Sequence, residues 1–111
     1  MTVTPTNIIP SKTAENTQTT QYTSSGVTTI IDKFTATNYS VAAATISVNL
    51  VTVTDVAGNQ NLIVKTKTLQ PSECYTFPEI VGHILSSDSF ISTIASAATS
   101  INIRASGRVV T

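Results

Sequence analysis

The 111-residue sequence predicts an all-β sandwich. Three observations point there. About seven short runs alternate in hydropathy with period two, and turn signals separate them every 8–12 residues. Thr and Ser fill roughly 30% of positions, and Thr is a β-branched residue that suits a pleated, half-wet surface. Only one stretch, residues 76–85, has apolar spacing suited to a helix. Hydrophobic residues make up 41% of the chain, enough to bury one core, and the length suits one domain. Jelly-roll and immunoglobulin-like windings both remain open at this level.

Residues 1–26 are poor in apolar residues, and the one sticky pair is Ile8-Ile9, which Pro5 and Pro10 bracket. Proline cannot donate to a ladder, so a central strand is excluded here. The expectation is an extended Thr-rich arm over 1–26, with edge strands an option, ahead of a sandwich domain over 27–111. Val27 to Thr37 reads as a strand with apolar groups on both faces. Ala44 to Thr54 is a second strand whose apolar phase slips near Leu50-Val51, the signature of a bulge or a change of sheet. Asp55 to Asn61 is a turn, with Gly58-Asn59 expected to supply positive φ. Leu62 to Leu69 returns as its partner. Gln70 to Glu73 turns the chain, and Cys74 to Phe77 is a short extended piece. Phe90 to Ser96 is a strand. In Ser100 to Ser106, Ile101, Ile103 and Ala105 face inward while Asn102, Arg104 and Ser106 face outward. Gly107 permits a kink or bulge after it.

The stretch Thr76 to Leu85 carries the letters of a helix start. Thr76 and Glu79 fit a capping box, Pro78 fits the first turn, and Tyr75 with Ile80 fits a hydrophobic staple. One short helix near residues 77–85 is therefore expected, as a plug between two strands.

Charge is sparse and balanced: six basic and six acidic residues give a net charge of zero. Nucleic acid and anionic membrane both demand a basic face, so neither is an expected partner. No apolar run approaches the roughly 20 residues that span a bilayer, and the start has neither the basic nor the apolar part of a secretory signal. The single cysteine, Cys74, allows no intrachain disulfide. Cys74 and His83 could form a nucleophile and its base, with Glu79 four residues before the histidine. The same three residues lack the paired spacing of a zinc site. A small buried thiol and a histidine at a helix end describe them better, so no catalytic, cofactor-binding or metal residue is expected. Lys65 and Lys67 form the one close basic pair, two apart on a strand, a pattern common in edge protection. With Ile8 and Ile9 they are the candidate partner contacts.

The run Leu69-Gln70-Pro71-Ser72-Glu73-Cys74-Tyr75-Thr76-Phe77-Pro78-Glu79-Ile80-Val81-Gly82-His83-Ile84-Leu85 resembles small virion proteins of tailed bacteriophages. Those proteins typically show L-x-P-G-E-x-Y-x-x-P-E-L-V-G-H. A strand ending in a small A-S run and an I-x-I-R-x-S-G-like C-terminus follow. Here Ile94-Ala95-Ser96 and Ile101-Asn102-Ile103-Arg104-Ala105-Ser106-Gly107 match the later pieces. Ser72 departs from the motif by standing in place of Gly. The resemblance covers residues 27–111, and within the group the chain looks most like capsid decoration, or staple, proteins of short-tailed phages of the epsilon-fifteen type.

The resemblance implies a jelly-roll-like domain on the outer capsid surface of the virion, made in the host cytoplasm. Its partner would be the major capsid protein, with a homodimer across a symmetry axis as a further option. It implies no enzyme activity, cofactor, small-molecule substrate, nucleic acid or membrane. A head-tail connector, neck or tail subunit is the alternative, and a cysteine-dependent enzyme using Cys74 and His83 is the rival from another class.

Overall fold

Nine antiparallel strands stack as two sheets in the computed structural model, which describes all of residues 1–111. They are β1 (Val3–Thr13), β2 (Thr19–Thr23), β3 (Thr28–Asn38), β4 (Ala44–Val51), β5 (Leu62–Leu69), β6 (Cys74–Tyr75), β7 (Ile84–Leu85), β8 (Phe90–Ala95) and β9 (Ile101–Val110). One sheet runs β1-β9-β3-β6, with β7 also on β3, and the other runs β2-β8-β4-β5. The all-β sandwich expected from the period-two pattern is what forms.

The pairing decides the winding. β6 and β7 both lie along β3, at its two ends, and together act as one interrupted strand. Counted so, the first strand pairs with the last, the second with the next to last, the third with the interrupted strand, and β4 with β5. This is a long antiparallel ribbon folded over on itself. The β9–β3 and β8–β4 pairs then close each sheet. That is the jelly-roll order, in which two Greek-key connections cross the ends of the sandwich.

Residues 1–26 take the edge-strand option. β1 pairs along its length with β9, and β2 pairs with β8, so the segment supplies one edge strand to each sheet. Two bulges in β1, between Thr6 and Ile9 and between Ile9 and Lys12, turn both isoleucines inward. Ile8 is 4% exposed and Ile9 0%, and both belong to a core of 19 residues with Ile31, Phe34, Ile46, Ile91, Ile101 and Ile103 among them. Burying two such side chains stabilises the fold by about 1.5–3 kcal/mol each.

Three expectations are corrected. Thr76–His83 forms a chain of turns, and no helix spans 77–85. The Phe77 side chain is drawn into the core, edge-on to Phe34 at 4.9 Å and to Tyr75 at 4.8 Å. That placement sets Phe77 at φ 46°, and Gly82 at φ 89° ends the segment. Both are left-handed and break helical continuation. The Glu79 carboxylate does not reach back to cap, because it accepts the Tyr75 hydroxyl at 2.8 and 2.7 Å. In the Asp55–Asn61 turn Gly58 is extended, and the left-handed residue is Thr54 just before it, at φ 71°. The loop is shaped instead by side-chain hydrogen bonds: the Val56 amide donates to Asp55 and the Gly58 amide to Asn61. β4 itself carries no phase slip, since the extra residues at its pairing with β5 fall on β5. Val51 is buried on the outer side of its sheet, apart from the main core.

Gly107 does mark a bulge, but on the neighbouring strand. Ile31 pairs with Gly107 and Lys33 with Ser106, so Asp32 is the extra residue of β3. A Cβ on residue 107 would lie 2.3 Å from the Ile30 carbonyl oxygen, which leaves room for glycine alone.

Candidate functional site

The two sheets present unlike outer faces, and the strand register shows which residues form each. On the five-stranded sheet, the outward rows join Thr35 to Arg104, Lys33 to Ser106, and Pro5 to Arg108, Ile30 and Ile84. Arg104, Arg108, Lys33, Asp32 and Ile84 are all exposed, Ile84 by 64%. Lys33 and Arg104 are diagonal neighbours across adjacent strands, roughly 7–8 Å apart at the backbone. Arg108 continues the same row on the other diagonal. Its guanidinium donates to both oxygens of Asp32, at 3.0–3.1 Å from Nε and 2.9 Å from Nη2. That fork holds the guanidinium pKa above its ordinary value. The chain's other ion pair is Lys12–Glu15, so Lys33 and Arg104 have no carboxylate partner. Three cations against one carboxylate leave this face two positive charges on a neutral chain.

The bulge at Asp32 and the turns after β6 build a notch beside these cations. Asp32, Lys33, Thr76, Pro78 and Val81 line about 300 Å³. Backbone bonds fix the turns against β3 there: the Gly82 amide donates to the Ile31 carbonyl at 2.7 Å, and the Ile31 amide to the His83 carbonyl at 2.9 Å. The notch rim is thus tied to β3, and Val81 stands on it 44% exposed.

The outer face of the four-stranded sheet is sealed. Asn49 is 3% exposed and Ser92 2%. The Asn49 amide donates to the Gly58 carbonyl at 3.0 Å and to Asn61 Oδ1 at 2.7 Å, tying the 52–61 loop across the sheet. Gln18 donates to Ser92 Oγ at 2.7 Å and to Asn49 Oδ1 at 3.4 Å from the other side.

All four sheet edges are interrupted. β1 carries Pro5 and Pro10, β2 bulges between Thr20 and Tyr22, β5 bulges with Thr66 at φ 44°, and β6 and β7 are split by the turns. Such devices blunt strand addition. A partner is better met on a face than along an edge.

The candidate contacts fare unequally in this geometry. Ile8 and Ile9 are core residues and cannot meet a partner without unfolding β1. Lys65 is exposed on the β5 edge. Lys67 is half-buried, its ammonium 4.4 Å above the centre of the Tyr75 ring, so that it clips β5 to β6 at the margin of the sandwich. The bulge at Thr66 separates the two lysines, which do not form one patch.

Cys74 and His83 are not brought together. Cys74 pairs with Thr37 near one end of β3, while the His83 carbonyl bonds Ile31, six positions along. At about 3.3 Å per residue the two backbones stand roughly 20 Å apart. That distance rules out a thiol–imidazole pair, and no three His, Cys, Asp or Glu side chains converge. Both residues are exposed, where a buried thiol was expected. Near them, the Tyr75–Glu79 hydrogen bond raises the pKa of the phenol and lowers that of the carboxyl.

Lys33, Arg104 and Arg108 were not singled out by the sequence reading. Arg104 and Arg108 share a face by their spacing of four on a strand. Lys33 joins them only through the Asp32 bulge, which no local pattern shows. No protein-family model, curated protein or solved structure matches the chain.

Proposed function

We propose that this protein is a structural component of a tailed-phage virion, a decoration protein that docks on the outer surface of the assembled capsid and stabilises it. The observation that carries the reading is the winding. A jelly-roll domain, an architecture used by viral capsid and lectin domains, is joined here to a phage-like motif in the split strand. The link from fold to role is analogy. A local detail supports the motif: Ser72, which stands where those proteins carry glycine, has φ 68°, a conformation glycine adopts without strain. The blunted edges and the one open face suit a module that lies flat against a larger surface.

The mechanism is mass action. A protein that binds the closed shell and not its dispersed subunits lowers the free energy of the shell and shifts disassembly to higher temperature. Gel quantitation of purified particles tests the reading. Hundreds of copies per particle, with heat-induced genome release at lower temperature once the protein is removed, is the expected result. A single ring of a dozen or fewer copies would place it in the neck or tail instead, and absence from particles would end the proposal.

A further inference from the structure

The unsatisfied charge on the open face identifies what it meets. Lys33 and Arg104 are diagonal neighbours without a carboxylate, and Arg108, paired with Asp32, lies on the other diagonal. They sit next to the notch walled by Pro78 and Val81, with Ile84 exposed on the same face. A surface that sets spare cations beside a notch where Pro78 and Val81 stand among Asp32, Lys33 and Thr76 complements a segment carrying carboxylates and one apolar side chain.

We infer that the outer face of the five-stranded sheet is the docking face, and that its partner is an acidic segment of the shell protein. Carboxylates of that segment pair with Lys33 and Arg104, and an adjacent apolar side chain enters the notch. This rests on the capsid-decoration reading above and adds the face and the chemistry of the partner.

The experiment is co-sedimentation of the full chain with shells stripped of it, at low and physiological salt, for wild type, Lys33→Glu/Arg104→Glu, Val81→Ser and Lys65→Glu. Charge reversal at two contacts should weaken binding on the order of 100-fold, and wild-type binding should fall as salt rises. Val81→Ser should weaken it by a smaller factor. Lys65→Glu, on the β5 edge, should change it by no more than about twofold. Melting curves confirm that each variant folds. If the charge-reversed pair does not fold, Lys33→Gln/Arg104→Gln takes its place, with about a tenfold loss expected.

Wild-type binding matched by the double variant overturns the face assignment while leaving the decoration reading intact. Equal losses for Lys65→Glu and the double variant also overturn it, since net charge alone would then matter. Loss of self-association in the double variant with shell binding unchanged would show a second copy to be the occupant, again overturning it. Failure of wild type to sediment with shells removes the decoration reading and the inference with it.

Discussion

The outer faces of the two sheets are built from similar strands and end in opposite states. On the four-stranded sheet, Asn49 and Ser92 are roofed by the 52–61 loop and by Gln18, and their polar groups are spent inside the chain. On the five-stranded sheet Lys33, Arg104 and Ile84 stand exposed, and two cations keep their bonding capacity for something outside. The difference lies in where the chain spends its loops. The long connection between β4 and β5 folds back as a roof. The connection between β6 and β7 instead leans on β3 and walls a notch at the margin of the open face. One face is held by polar bonds from above and the other by apolar packing from below.

That contrast can be broken most severely from beneath the open face. Phe77 anchors the β6–β7 turns in the core against Phe34 and Tyr75. Phe77→Ala should cost about 3–5 kcal/mol in urea or thermal unfolding, and amide exchange at Gly82 and Ile31 should rise with it. A cost near zero would mean that the turns are held by their backbone bonds alone. The roof should yield to a milder change. Asn49→Ala strips the Gly58 carbonyl of its side-chain donor and leaves Asn61 Oδ1 with the Gly58 amide alone. About 1–3 kcal/mol should be lost, with faster exchange confined to the 52–61 loop. Exchange spreading into β9 would show that the two faces are not independent.

How much of this was legible in the sequence follows the range of each interaction. Alternation in β9 placed Ile101, Ile103 and Ala105 inside correctly because one strand suffices to show it. The letters Thr76 and Glu79 suggested a helix because capping boxes are read locally, whereas Phe77 is claimed by a distant partner, Phe34, and Glu79 by Tyr75. Ile8 and Ile9 looked like a sticky tail because the two bulges that turn both inward exist only against β9. The jelly-roll winding pairs the first strand with the last, and nothing near either strand announces it. Two of the three cations, Arg104 and Arg108, share a face by their spacing in the sequence, and the third, Lys33, was hidden by the phase change at Asp32.

On the open face itself, single substitutions should scarcely touch stability. Arg104→Ala and Lys33→Ala remove exposed cations that have no partner in the chain, so melting should shift by an amount equivalent to no more than about 0.5 kcal/mol in either direction. A larger loss would mean that these cations serve the fold, and the case for an outside partner would weaken accordingly.

Acid should also tell the faces apart, on the roofed side. Asp55 in the 52–61 loop accepts from the Val56 amide, then from Gln60 and Asn61, and these bonds hold its pKa below the ordinary 3.8. A carboxylate with a lowered folded pKa contributes stability that is fully present above its unfolded value and is lost as pH falls through the folded one. Wild type should therefore melt above Asp55→Asn at pH 6, and the gap should close as pH drops below about 3.8. Thermal melts of both proteins from pH 6 to pH 2.5 would measure this, with Arg104→Ala as a control from the other face. A gap that stays constant with pH would mean that the bonds Asp55 accepts do not depend on its charge, and that the roof is held by its amides alone.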